Sequence, residues 1–150
     1  MIHPHIRRAA RERALQFLYG QDLTQYNWQE ILEDFWQQNP SRPSIRAYGE
    51  KLIRGVCAHQ AELDEEIHQA LDRWSPERIG YVERAILRIA VYEMLHMPDV
   101  PPSVAINEAI EVSKRFGAEE APRFINGVLD RVGRTHVAAD SPAAEGDEET

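Results

Sequence analysis

The chain has a single cysteine, Cys57, which excludes an internal disulfide and fits a reducing compartment. No apolar run approaches the roughly 20 residues that span a bilayer, and the basic start lacks the apolar stretch of a signal peptide. A soluble cytoplasmic protein is expected. Glycine is scarce, and Gly20, Gly49, Gly55 and Gly80 stand alone, so there is no glycine-rich loop to cradle phosphates. The stretch "SKRFGAEE" is no nucleotide-binding loop either. Of the six histidines (His3, His5, His59, His68, His96 and His136), none forms the i, i+4 pair with an intervening glutamate that marks a metal helix. Cys57 and His59 lie two apart and would point away from each other on a helix, so Cys57 reads as a small buried thiol. These absences give the expectation of no catalytic residue, no metal, no cofactor and no enzyme activity.

Charge is plentiful but uneven. The net charge is -8 and the pI near 5.2, which argues against indiscriminate nucleic-acid binding. Yet "HIRRAARERALQFLYGQ" gathers four arginines between positions 7 and 13. On a helix starting near Arg7, with Pro4 just before it, Ala10, Ala14, Phe17, Leu18 and Gln21 share one side. Arg7, Arg8 and Arg11 span an arc of about 100° beside that stripe, Tyr19 lies near its far edge, and Arg13 points elsewhere. Cations at a helix start oppose the macrodipole. Two readings fit: a solvated basic helix end, or a focused anion site on an otherwise acidic molecule.

No alternating pattern of useful length suggests a strand, so the expected fold is all-α with six or seven helices. Gly20 and "DLTQYN" loosen the chain before a second amphipathic helix in "NWQEILEDFWQQN", with Ile31, Leu32, Phe35 and Trp36 inward. "NPSRP" breaks it. A long helical stretch then runs from Ser44 through Tyr48, Leu52, Val56, Leu63, Ile67 and Leu71, with a bend at Gly55. "RWSPERIG" is the next break, where Ser75 caps a helix and Pro76 opens it. "ERAILRIAVYEMLHM" is apolar on more than one face and is expected at the centre. In "VAINEAIEVSKRFG", Ile106, Ala109, Ile110, Ser113 and Phe116 keep a helical period that Gly117 ends. "AEEAPRFINGVLDRVGR" supplies the last helix, with Phe124, Ile125, Val128, Leu129 and Val132 inward. Residues 136–150 carry Asp140, Glu145, Asp147, Glu148 and Glu149 but no Lys or Arg, and are expected to form a disordered acidic tail after a domain over 1–135.

In "RRAARERALQFLYGQDLTQ" and "VERAILRIAVYEMLHMPDVPPSVAINEAIEVSKRFGAEEAPRFINGVLDRV" the sequence resembles the NusB family of transcription antitermination factors, over roughly residues 5 to 133. "VAINEAIEVSKRFG" followed by "FINGVLD" is the most specific part. The resemblance implies two small helical subdomains around a long central helix. It also implies binding of single-stranded box A RNA in rRNA operon leaders together with NusE, a ribosomal protein, within the RNA polymerase antitermination complex, and no membrane partner. Some family members pair as homodimers that hide the RNA surface, so a homodimer is an alternative state.

Residue by residue, the resemblance gives Arg7, Arg8 and Arg11 an RNA-contacting role, which suits the forked donors of guanidinium. Phe116 and Phe124 match family rings near RNA, although both also sit on apolar helical stripes and fit a core role. Glu108 and Glu120 match positions near RNA, where a carboxylate serves base selectivity more than affinity. Gln16 and Arg88 are further matches. Tyr19, Glu77 and Glu83 match positions that contact NusE, and the glutamates would complement a basic protein. Some rRNA cytosine methyltransferases carry a NusB-like domain ahead of a catalytic one. This chain has neither a glycine-rich cofactor loop nor a catalytic cysteine motif in its 150 residues, so a free-standing adaptor is expected.

Overall fold

Prolines punctuate this fold where their missing N–H costs nothing. Pro4, Pro43 and Pro102 each open a helix at its first position. The computed structural model describes residues 3–71 and 79–140, and among these the secondary structure is seven helices without a strand. They are α1 (Pro4–Thr24), α2 (Trp28–Gln38), α3 (Pro43–Ala58), α4 (Gln60–Ala70), α5 (Tyr81–His96), α6 (Pro102–Phe116) and α7 (Ala121–Asp140). Asn27 caps α2, its side chain accepting the Gln29 N–H at 2.9 Å.

Helix α5 touches α1, α3, α4, α6 and α7, and residues Ala85 to Glu93 are all buried. A helix apolar nearly all round must be covered on every side. The first three helices pack as one group and α4 to α7 as a second, with α5 serving both. This is the expected two-subdomain arrangement, with one difference: α5 is central by position, not length, at 16 residues against 21 in α1 and 20 in α7. Leu52, Leu63, Leu87, Ile125 and Leu129 form the innermost layer. Among the described residues, no helix is long and apolar enough to cross a membrane.

Several expected boundaries move. Helix α1 runs through Gly20 and stops only after Thr24, where Gln25 takes a left-handed φ of 61°. The long stretch from Ser44 breaks at His59, not at Gly55. Gly55 lies inside α3 with its Cα against the Tyr92 ring, so a missing side chain, rather than a bend, is what the position needs. Gly117 ends α6 in an extended conformation, φ -95°, instead of the left-handed one. Helix α7 continues to Asp140, past the tail boundary expected after Thr135. The expected cap at Ser75 and Pro76 and the residues beyond 140 lie outside the described residues. Cys57 is partly buried against the core, and burial pushes its thiol up to about 11.

A polar trio, one ion pair and a tyrosine, joins three helices inside this core. The Glu93 side chain on α5 is 1% exposed and that of Arg11 on α1 is 5% exposed. Arg11 Nε donates to both Glu93 carboxylate oxygens at 3.0 Å, and the Tyr48 hydroxyl on α3 donates to Oε2 at 2.6 Å. Burial and the neighbouring Glu93 carboxylate raise the Tyr48 pKa, which keeps the phenol a donor. Burial alone would lower the Arg11 pKa; hydrogen bonding to Glu93 and its charge outweigh that, and the net direction is upward.

Two stability predictions follow from this packing. Gly55→Ala forces the α3 backbone off the Tyr92 ring and should cost about 1–3 kcal/mol, read as a lower urea midpoint. Glu93→Leu removes the buried partner of Arg11, leaving it only the approach of Glu108 at 3.6 Å, and should cost about 3–5 kcal/mol. Replacing the whole trio (Arg11→Met, Tyr48→Phe, Glu93→Leu) should recover most of that loss. A triple variant no more stable than Glu93→Leu alone would contradict the unpaired charge as the cause.

Candidate nucleic-acid interface

The rotation of α1 sends its arginines to three environments. Arg11 turns inward to Glu93, so the expectation that it shares the exposed arc with Arg7 and Arg8 is corrected: the periodicity placed it beside the apolar stripe, but its partner lies 82 residues away. Arg7 is half-buried, donating to Asp99 Oδ2 at 2.9 Å with its guanidinium 4.6 Å from the Tyr48 ring centroid. Arg8 stays 47% exposed and makes a forked pair with Glu108 on α6, Nε to Oε1 and Nη2 to Oε2, both at 2.8 Å. The hydrogen bond from Arg8 holds the Glu108 carboxyl below the usual range, and the same pairing raises the Arg8 pKa. The hydrogen bond from Arg7 likewise lowers that of Asp99.

One turn along α1, a second ion pair crosses the same seam. Arg115 Nη1 on α6 donates to the Glu12 carboxylate at 3.0 and 3.1 Å. Its guanidinium lies 5.0 Å from the centroid of Phe116, a ring that is 42% exposed at the end of α6. Phe116 therefore does not join the core, contrary to what its place on the apolar stripe of α6 allowed.

Phe116 and Arg115 form one wall of a groove of about 730 Å³ between α1, the α2–α3 turn and the start of α5. Gln16 and Tyr19 line it from α1, and Arg13 and Arg42 add further cations. Arg13 is held in place by Gln16 Oε1 at 3.0 Å and Asn39 Oδ1 at 3.2 Å. Arg13, Arg42 and Arg115 are not among the residues that the sequence marks as site candidates. The signal for Arg115 was its position next to Phe116 at a helix end, whereas Arg13 and Arg42 meet only through the α1–α3 packing.

A second groove, about 620 Å³, holds Glu83, Glu120 and Phe124 between the start of α5, the α6–α7 turn and α7. Phe124 is half-buried against the core, while Glu120 is exposed. Glu83 Oε2 accepts the Ala118 N–H at 3.0 Å, which ties the start of α5 to that turn. The first turn of α5 divides the two grooves, with Val82 facing the first and Glu83 the second. Tyr19 meets Tyr81 of that turn edge to face at 6.5 Å. The structure thus brings Gln16, Tyr19 and Phe116 together and sets Glu83, Glu120 and Phe124 apart from them. Glu77 lies outside the described residues. Arg88, matched to an RNA-near position by the resemblance, is buried on α5, donating to both Asp64 oxygens at 2.7 and 2.9 Å, and lies 3.5 Å from Asp22.

A family model described as NusB family matches residues 8–134. The transcription antitermination protein NusB of Bacillus subtilis (strain 168) is 44% identical over 126 residues, covering 84% of this chain and 93% of its own length. That of Geobacter sulfurreducens is 43% identical over 130 residues, covering 86% and 94%. Among solved structures, T. maritima NusB matches with a TM-score of 0.76 at 32% identity over 89% of this chain and 93% of that one. A chain in a crystal structure of antitermination factors NusB and NusE in complex with dsRNA matches with a TM-score of 0.79 at 29% identity, over 89% and 99%. The extent of the family match, the identity to full-length relatives and the shared helical fold together make this chain a member of the NusB family of transcription antitermination proteins.

Proposed function

We propose that this protein is a non-enzymatic RNA-binding antitermination factor that takes up single-stranded box A RNA of rRNA operon leaders together with the ribosomal protein NusE, within the antitermination complex of RNA polymerase. The observation that carries this reading is the exposed Phe116 ring, with the Arg115 guanidinium over it, in a groove that also gathers Arg13 and Arg42 on an otherwise acidic chain. A flat ring next to guanidinium groups is what a single strand needs: a base stacks on the ring while phosphates meet the cations. The solved complex of antitermination factors NusB and NusE with dsRNA supports RNA and a NusE-type partner as ligands of the fold.

In this reading Arg13, Arg42 and Arg115 meet phosphates at the first groove, while Arg8 on the α1–α6 seam and Arg7 nearer the start of α1 extend the basic face outside it. Gln16, Glu108 and Glu120 offer acceptors to bases, and Phe124 extends the stacking surface into the second groove. Arg11 and Arg88 do not touch RNA; they are positioning residues that fix α1 and α5 through buried ion pairs. Glu83 and Tyr19, joined through Tyr81 in the first turn of α5, meet the basic protein partner, and the sequence match adds Glu77 to them.

Fluorescence anisotropy of a labelled box A RNA over a salt series tests the RNA face. Arg115→Ala should weaken binding and reduce the salt slope by about 0.7, as for one lost phosphate contact on a single strand. Phe116→Ala should cost about 1–3 kcal/mol and leave the slope unchanged. Unchanged affinity in both variants, with NusE present, would remove the groove from the RNA site. For the partner face, Glu83→Gln keeps an oxygen for the Ala118 N–H while removing the charge. Its association with NusE should slow, with a weaker dependence on salt, and RNA affinity in the absence of NusE should not change. Association kinetics indistinguishable from the unsubstituted protein would take Glu83 out of the interface.

A further inference from the structure

At the opposite end of α5 from Glu83, three metal-ligating side chains converge that neither the RNA face nor the partner face uses. His59 is the single residue between α3 and α4, Glu62 lies in the first turn of α4, and His96 ends α5. His59 Nδ1 is 3.3 Å and His96 Nε2 is 2.9 Å from the same carboxylate oxygen, Glu62 Oε1. One ligand atom from each residue lies within 4.8 Å of the other two. The two imidazoles stack at 4.1 Å, and the Tyr92 ring backs both, 5.9 Å from His59 and 5.3 Å from His96. Tyr92 is itself held by the close passage of Gly55, so the two rings rest on a fixed wall.

We propose that His59, Glu62 and His96 form a binding site for a divalent transition-metal ion of the zinc class. The ligand set is the first argument. Two imidazole nitrogens and one carboxylate suit Zn²⁺ and its neighbours in the first transition row, whereas Mg²⁺ and Ca²⁺ require mostly oxygen. Geometry is the second. With metal–ligand bonds of about 2.0–2.1 Å, the edges of a tetrahedral site are roughly 3.3 Å long. The two nitrogen–oxygen separations already match that to within a few tenths of an ångström. The remaining nitrogen–nitrogen edge lies within 4.8 Å, so binding an ion requires the two imidazoles to turn and draw it in.

The surroundings also favour a cation. Helices α3 and α5 both end at this cluster, directing their carbonyl ends towards it, against one helix start from α4. All three side chains keep contact with solvent, so an ion can enter and a water can fill the fourth position. A bound ion would fasten the α3–α4 junction to the end of the central helix. This site is independent of the RNA-binding reading.

Titration calorimetry of the full, tag-free chain with ZnCl₂ tests the proposal. One equivalent should bind, and His59→Gln and His96→Gln should each weaken binding by about tenfold or more. MgCl₂ should give no heat from this site. The control is the double variant His3→Gln, His5→Gln, which removes the other neighbouring histidine pair, with ring centroids 5.1 Å apart, and should bind like the unsubstituted protein. Circular dichroism of each variant establishes that it is folded. Absence of Zn²⁺ binding, or binding that survives in His59→Gln and His96→Gln but disappears in the control, overturns the site.

Discussion

Glu93 is a carboxylate on the central helix with almost no contact with water, and the positions of its neighbours answer that constraint. An ionised group there needs a countercharge and a full set of donors. Arg11 brings the charge from α1 and Tyr48 a hydroxyl from α3, so one side chain fixes two helices against α5. The candidate RNA face inherits this. Arg8 lies less than a turn from Arg11, and once Arg11 is locked to Glu93 the rotation of α1 is set and Arg8 faces Glu108 on α6. A core ion pair thereby aims a surface one.

Helix α5 divides its labour along its length. Its middle is core, with Arg88 clamping Asp22 of α1 and Asp64 of α4. Its first turn separates the two grooves, with Val82 on one side and Glu83 on the other. Its last residue, His96, faces the α3–α4 junction. Burying the middle of a helix in both subdomains fixes its two ends relative to each other, so the grooves and the histidine cluster share one frame.

Much of the helical architecture was legible in the sequence, because local signals specify it. Pro4, Pro43 and Pro102 mark helix starts by chemistry that acts within a turn, and the apolar excess of α5 announces a helix covered on all sides. The misplaced features all depend on distant partners. Gly55 reads locally as a weak point in α3, but its meaning lies in Tyr92, 37 residues on. Gly20 costs too little to end a helix whose following turn still finds its hydrogen bonds. Arg11 and Arg88 carry no local mark that distinguishes a buried arginine from a solvated one, since Glu93 and Asp64 reach them only through tertiary packing. The site was legible to the same extent. The exposed placements of Arg8 and Phe116 agree with their helical position and family match, whereas the gathering of Arg13 and Arg42 in one groove, and of the histidine cluster, required the helices to be assembled.

The two ion pairs along the α1–α6 seam have a consequence for discrimination. Arg8 and Arg115 are each already held by a carboxylate, Glu108 and Glu12. An incoming polyanion must exchange one negative partner for another, and gains only the difference between them. Any RNA, or the chain's own acidic end, would compete on those nearly even terms. Under the proposed RNA-binding reading, only a strand that also lays a base on Phe116 would collect a surplus, and the carboxylates would then act as a threshold that charge alone does not cross.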